Sequence, residues 1–118
     1  MANSQEPAKI KVKKANCSAA LLVRGGGNIT KAELQKCDSI FLREECGSKI
    51  VSYTLVYCFE GRLVEMKANE TKFSDEMKSN FRKLELGNRI FVEEIKVMDL
   101  SGQIYKLPDL IFKVSIYP

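Results

Sequence analysis

The chain has 118 residues, of which 45% are hydrophobic, and it contains no histidine and no tryptophan. That length fits one domain and that hydrophobic fraction is enough for a core, so the composition excludes a disordered chain. The absence of histidine excludes Ser-His-Asp and Cys-His catalysis and the usual histidine-containing metal site. The net charge is +4, and charges of both signs are mixed along the sequence, which does not indicate nucleic-acid binding.

The first part of the chain alternates polar and apolar segments. Met1–Pro7 is a predicted polar tail, and Ile10 and Val12 alternate with lysines in a predicted short strand. Lysines of this kind are typical of a solvated edge strand, which they protect from pairing with other chains. Cys17–Val23 is a second predicted strand, and the three glycines Gly25–Gly27 end it in a flexible turn.

The middle of the chain predicts a short helix and a β-hairpin. Thr30 and Glu33 have the spacing of a capping box, which predicts a helix of one or two turns. Ile50–Phe59 is the strongest predicted strand and should be central. One face of this strand is predicted to carry Val51, Tyr53, Leu55, Tyr57 and Phe59. Glu60–Gly61 predicts a tight turn into the strand Arg62–Ala68. We expect this strand to be irregular, because Leu63 and Met66 would point to opposite faces of a regular strand.

A second, amphipathic helix is predicted from Ser74 onward. Ser74 provides an N-cap hydroxyl and is followed by two carboxylates, which favour the positive end of a helix dipole. Met77, Phe81 and Leu84 form one apolar stripe, so one face of this helix should pack against the core. The helix should end near Leu86, because the glycine that follows favours a positive φ.

The next strand requires a β-bulge. Ile90 and Val92 share one parity whereas Ile95 and Val97 share the other, so a regular strand would place the two pairs on opposite faces. One extra residue returns all four to the same face. We therefore predict a bulge near Glu93–Glu94.

The last segment predicts a turn and a final strand. Ser101–Gly102 is a turn signal. Pro108–Asp109 marks a break before the last strand. That strand has one apolar face, formed by Leu110, Phe112, Val114 and Ile116. Its other face carries Ile111 and Tyr117 and is therefore not wholly polar. The count of elements predicts a mostly β fold, a two-layer, mostly antiparallel β-sandwich with one or two short helices.

The chemistry-bearing residues do not form a catalytic or metal site in sequence. The four cysteines include no C-x-x-C pair, and we interpret them as buried thiols, although three disulfide pairings remain open. The paired carboxylates Glu44–Glu45 and Glu93–Glu94 are adjacent, so on a strand the partners point to opposite faces. We predict no catalytic residue, no cofactor, no metal and no small-molecule substrate.

Several stretches together resemble a known family. They are Gly26–Leu34, Val51–Thr54 leading to Glu60–Gly61, Lys72–Ser74, Leu84, Gly87–Lys96, Ser101–Gly102 and Leu107–Val114. They resemble the C-terminal domain of the gliding-motility protein GldM, also called PorM. The resemblance covers roughly Ile10–Val114 and is most specific between Phe73 and Val114, which contains Gly-Asn-Arg, Glu-Glu-Ile-Lys and Gly-Gln-Ile-Tyr-Lys-Leu.

This resemblance implies an immunoglobulin-like β-sandwich in the periplasm of a Bacteroidetes bacterium. Residues 8–118 would be a single domain of this kind. In the family, such domains end a dimeric inner-membrane protein whose shaft couples a motor to the outer-membrane ring of the type IX secretion system. A homodimer and envelope partners are therefore expected. Met1–Pro7 lacks the layout of a signal peptide, which alone indicates the cytoplasm, but an exported chain whose signal has been removed has the same start.

The favoured hypothesis is a non-enzymatic module for protein–protein interaction. Aromatic residues and arginines dominate the energetics of interfaces, and the predicted contact residues are Arg62, Arg89, Tyr105 and Tyr117. The alternative is a stand-alone, exported β-sandwich that binds carbohydrate or peptidoglycan. It would require aromatic side chains along a groove, and the chain has no tryptophan and four tyrosines.

Overall fold

The computed structural model describes residues 18–21, 25–43 and 47–117. The predicted tail Met1–Pro7 and the predicted strand with Ile10 and Val12 lie outside the described residues. So do Cys17 and Cys46. No helix in the described ranges is both long enough and apolar enough to cross a membrane.

The described residues form two sheets and two helices. In chain order the elements are β1 (Ala19–Ala20), β2 (Gly27–Ile29), α1 (Lys31–Gln35), β3 (Phe41–Leu42), β4 (Lys49–Phe59), β5 (Arg62–Ala68), α2 (Asp75–Lys83), β6 (Arg89–Met98), β7 (Ile104–Leu107) and β8 (Leu110–Val114). The large sheet has the order β2-β8-β6-β4-β5, with β7 beside the second half of β6, and β1 pairs with β3 in the small sheet. Among the strands of the described residues, only the β2–β8 pair is parallel. The prediction of a mostly β, largely antiparallel, two-layer fold is confirmed, while the immunoglobulin-like topology stays a prediction.

The core lies between one face of the large sheet and the layer that contains α1, α2 and the small sheet. An aromatic cluster joins the two layers. The ring of Phe73 lies 5.4 Å from that of Phe81 and 6.3 Å from that of Tyr53, both in edge-to-face geometry. The Tyr53 hydroxyl has no hydrogen-bond partner among the described residues, and burial raises the pKa of Tyr53 to about 12.

Both predicted N-caps are confirmed. The Thr30 hydroxyl accepts from the Glu33 amide at 3.1 Å, and the Glu33 carboxylate accepts from the Thr30 amide at 3.0 Å, which completes the capping box of α1. The Ser74 hydroxyl accepts from the Met77 amide at 3.2 Å at the start of α2. These bonds satisfy amides that have no partner within a helix.

Helix α2 ends earlier than predicted. Its last residue is Lys83, because Leu84 is already extended, with ψ of 147°. Leu84 is still buried, as predicted, together with Met77. The turn that follows reaches Gly87, whose φ of 92° agrees with the predicted role of this glycine.

The predicted bulge in β6 is confirmed. Glu94 has a φ of 50°, and the register of β6 against β4 shifts at this point. Ile95 and Val97 are fully buried as a result. A matching shift in β4 lies beside Val51, which interrupts the predicted alternation, so Ile50 is buried whereas Val51 is half-buried.

The β4–β5 hairpin is regular, and the predicted irregularity of β5 is wrong. Glu60 and Gly61 form a two-residue turn with φ of 52° and 80°, the signs of a type I′ turn. The pairing then continues without interruption to the end of β5. Leu63 and Met66 differ in parity because Leu63 is a surface residue, 76% exposed, whereas Met66 packs against the core.

The last strand is shorter than predicted. It ends at Val114, whose amide and carbonyl bind Asn88 and Gly87 in the turn before β6. Ile116 was expected on the apolar face with Val114, but it lies beyond the strand and is 67% exposed. The prediction for Ile116 is therefore wrong.

The described cysteines differ in burial. Cys37 and Cys58 both carry free thiols. Cys37 is buried, as predicted, and its thiol donates to the Glu33 carbonyl. Cys58 is exposed, so the prediction of burial is wrong for this residue, which alternates with the buried Tyr57 and lies on the opposite face of β4.

Candidate interaction surface

The face of the large sheet that points away from the helices is called the outer face here. Val56, Phe91 and Ile111 lie side by side on it, because Val56 is in register with Phe91 and Phe91 with Ile111. Cys58 and Leu63, also in register, extend this apolar surface to β5. We call these five residues the apolar patch. It crosses four neighbouring strands, a width of about 14 Å at the usual strand spacing.

The members of the apolar patch are exposed to different degrees. Leu63 is 76% exposed and Ile111 is 50% exposed, while Val56 and Phe91 in the middle are half-buried. Because its members are in register on neighbouring strands, the patch is contiguous rather than a set of scattered surface residues. Contiguous apolar surface of this kind marks interaction sites on soluble domains.

Two cations flank the apolar patch. Arg89 and Lys113 are directly opposite each other on β6 and β8, two residues from Phe91 and Ile111 respectively. Like charges in this position repel each other. Neither side chain forms a salt bridge with another described residue, so the repulsion is not relieved by this part of the chain.

A second pair of opposed cations, farther along the outer face, is partly neutralised by a carboxylate. Lys96 lies opposite Lys106, but the Glu94 carboxylate at the bulge accepts a hydrogen bond from Lys106 Nζ at 2.9 Å. That bond and the charges of Lys106, Lys96 and Lys67 hold the pKa of Glu94 below its ordinary value. Glu94 is thus a poor proton donor at neutral pH, and the bulge is occupied by a structural ion pair.

A polar groove lies beside this ion pair. It has a volume of about 310 Å³, and its lining includes Ser52, Thr54, Lys67 and Lys96. Tyr53 contributes to the wall, but its ring points into the core against Phe73. The groove therefore presents no aromatic ring on which a sugar would stack, and it does not support the carbohydrate-binding alternative.

The comparison with protein families identifies the whole described domain. A family model described as the GldM C-terminal domain matches residues 7–117. The chain belongs to the GldM C-terminal domain family. No curated protein matches the chain significantly. The resemblance found in the sequence is therefore confirmed, and the match includes both layers of this GldM C-terminal domain and its outer face.

The predicted contact residues of this GldM C-terminal domain do not form one cluster. Arg89 is exposed on the outer face, at the edge of the apolar patch. Arg62 is exposed at the hairpin end of β5. Its place in the alternation of the strand puts it on the core side of the sheet and not on the outer face. Tyr117 lies beyond β8 and is 76% exposed. Only Arg89 therefore adjoins the patch.

Tyr105 is a core residue, and the expectation that it is exposed is wrong. It is 6% exposed and alternates with the exposed Ile104 and Lys106 along β7. Burial raises the pKa of Tyr105, and the charge of Asp99 and a hydrogen bond to it act in the same direction. Its ring thus fixes β7 against the core rather than offering a contact surface.

Phe91, Val56 and Lys113 are surface candidates that the sequence alone did not predict. Phe91 is flanked by the buried Ile90 and Val92, so the run appears uniformly apolar and the outward direction of Phe91 is not evident. The available signal was Ile111, an apolar residue on the otherwise polar face of its strand. The pairing of three strands is needed to show that these residues form one surface.

Proposed function

We propose that this domain is a non-enzymatic, periplasmic module that binds other envelope proteins of the gliding-motility and type IX secretion machinery, including components of the outer-membrane ring. Membership of the GldM C-terminal domain family supports this proposal. The observation that carries it is the apolar patch with the unneutralised pair Arg89 and Lys113 at its edge. Self-association into a homodimer is a further part of the proposal.

The apolar patch suits a protein partner better than a small ligand. It lies on one face of the sheet and crosses four strands, whereas small-molecule sites are concave and enclose most of the ligand. Phe91 lies in its middle and is already half-buried, so a partner would remove little more than its exposed edge and the neighbouring aliphatic groups from water. An aromatic anchor surrounded by apolar side chains is typical of the centre of an interface.

The cation pair defines the chemistry of the partner. Arg89 and Lys113 repel each other in the free domain, and a carboxylate placed between them would relieve that repulsion. Glu94 performs this task for Lys106 within the chain. The partner segment should therefore carry an acidic residue beside apolar residues.

Affinity capture from the cell envelope with charge-reversal variants tests this proposal. Tagged wild-type protein should recover a type IX secretion ring or shaft component in near-stoichiometric amount after cross-linking. Arg89→Glu combined with Lys113→Glu should lose it, and so should Phe91→Ser. The matched control is Arg82→Glu, because Arg82 is exposed on α2, away from the outer face.

Circular dichroism of each variant confirms that it is folded before the capture is compared. Loss of the secretion component from folded Arg89 and Lys113 variants but not from the Arg82 control supports the outer face as the docking site. Equal recovery by all variants would refute docking there. Absence of any secretion component from the wild-type capture would refute the proposed function itself.

A further inference from the structure

Strand β5 is a long, open edge of the large sheet. Its seven residues pair only with β4 among the described residues. The strand contains no proline and no bulge, and its pairing with β4 is regular over its whole length. An edge of this kind is a template for another extended strand.

The turn before β5 determines which backbone groups are available. Phe59 and Arg62 flank the two-residue turn and therefore exchange the hydrogen bonds that close it. Bonding alternates along an antiparallel pair. Leu63, Glu65 and Lys67 consequently point their amides and carbonyls away from β4, which leaves three donors and three acceptors on the open edge.

Two of these positions, Glu65 and Lys67, carry opposite charges that have no complement in β4. Glu65 is in register with Val56, and Lys67 is in register with Thr54. Neither Glu65 nor Lys67 forms a salt bridge with any described residue. An antiparallel strand with the opposite charge order would complement both.

We infer that β5 of a second copy of this chain is that strand. In an antiparallel pair with a two-fold axis at Met66, Glu65 of each copy lies opposite Lys67 of the other, which forms two attractive pairs. Moving the axis to Glu65 would instead place the two Glu65 carboxylates opposite each other, which is unfavourable. The charge order therefore selects one register.

The side chains on the core side of β5 fit the same register. Val64, Met66 and Ala68 are partly buried and pack against the core. The axis at Met66 places the two Met66 side chains against each other and Val64 of each copy opposite Ala68 of the other. Each copy contributes one edge, so the assembly closes at two copies and the two large sheets become one.

This inference rests on the self-association part of the proposed function, not on the partner that docks on the outer face. Sedimentation equilibrium on the full chain tests it. The wild type should form a dimer, and Glu65→Lys or Lys67→Glu should each raise the dimer Kd at least about tenfold, because two attractive pairs become repulsive. Glu85→Lys, an exposed position outside β5, should leave the Kd unchanged.

Restored complementarity is the decisive readout. An equimolar mixture of the Glu65→Lys and Lys67→Glu variants should form a heterodimer with near wild-type Kd, and the double variant should dimerise with itself. A wild-type chain that stays monomeric would overturn self-association altogether. A dimer that is insensitive to these substitutions, or variants that fail to rescue each other, would overturn the β5 interface while self-association stands.

A disulfide cross-link locates the axis. Residues opposite each other at a non-hydrogen-bonded position have Cα atoms about 4.5 Å apart, within the range of a disulfide. In a Cys58→Ser background, Met66→Cys should therefore give a covalent dimer on mild oxidation, whereas Glu85→Cys should not. Absence of a covalent dimer from a folded Met66→Cys variant that still dimerises would place the axis elsewhere and overturn this register.

Discussion

The Tyr57 hydroxyl connects α2 to the large sheet, and removing it should destabilise the domain measurably. The hydroxyl accepts a hydrogen bond from Asn80 Nδ2 at 2.8 Å and donates to Met66 Sδ at 3.1 Å. The Tyr57 ring is fully buried and packs edge-to-face on Phe81 at 5.9 Å. Burial raises the pKa of Tyr57, so the hydroxyl stays protonated at neutral pH and both bonds persist.

Tyr57→Phe retains the ring and removes only these bonds. Loss of one net hydrogen bond costs about 1 kcal/mol, and leaving the Asn80 amide without its partner adds up to about 1 kcal/mol. Asn80 is half-buried, so water replaces part of that bond. The expected loss in the free energy of unfolding is therefore about 1–2 kcal/mol.

A double-mutant cycle isolates the bond itself. Urea unfolding of the wild type, Tyr57→Phe, Asn80→Ala and the double variant should give a coupling energy of about 1 kcal/mol, because the shared bond is lost only once. Asn69→Ala, an exposed position, should combine additively with Tyr57→Phe. A Tyr57→Phe variant within about 0.3 kcal/mol of the wild type, or a coupling near zero, would show that this bond does not hold α2 on the sheet.

Three further predictions concern local structure. Thr30→Ala should lower the free energy of unfolding by about 1 kcal/mol, because it removes the hydroxyl that caps α1. Thr30→Ser keeps a hydroxyl and should leave the free energy of unfolding unchanged, and thermal melts distinguish the two variants. Glu60→Asn should stabilise the hairpin by up to about 1 kcal/mol, since asparagine tolerates a positive φ better than glutamate, and a lower urea midpoint would contradict this. The hydrogen bond and the charge of Lys106 hold the pKa of Glu94 below its ordinary value, so the contribution of this ion pair to stability is complete above the pKa of an unfolded glutamate and is lost as the pH falls through the lowered pKa. Glu94→Gln should therefore reduce the urea midpoint at pH 7 and have no effect in strong acid, and an equal reduction at both would exclude the ion pair as its cause.

Local rules predicted the features that depend on few neighbouring residues. The caps at Thr30 and Ser74 need only a hydroxyl and the next turn of helix. The bulge at Glu94 followed from a parity conflict, since the apolar residues on either side must reach the same core. These predictions succeeded because each is decided within about ten residues of sequence.

The candidate interaction surface depends on pairing between distant strands. Phe91 and Ile111 become neighbours only when β8 pairs with β6, and the same pairing places Arg89 opposite Lys113. Tyr105 shows the converse error, because its residue type suggested a contact but the pairing of β7 directs it into the core. Register, not residue type, decides which face a side chain occupies.

Site-specific photocrosslinking in living cells tests the outer face as the docking site most directly. A photoreactive amino acid at Ile111, which is 50% exposed in the apolar patch, is compared with the same amino acid at Arg82 on α2. We expect an adduct with a type IX secretion ring or shaft protein from Ile111 and none from Arg82. An adduct with that protein from Arg82 but not from Ile111 would contradict this expectation, because the partner would then contact the helical side.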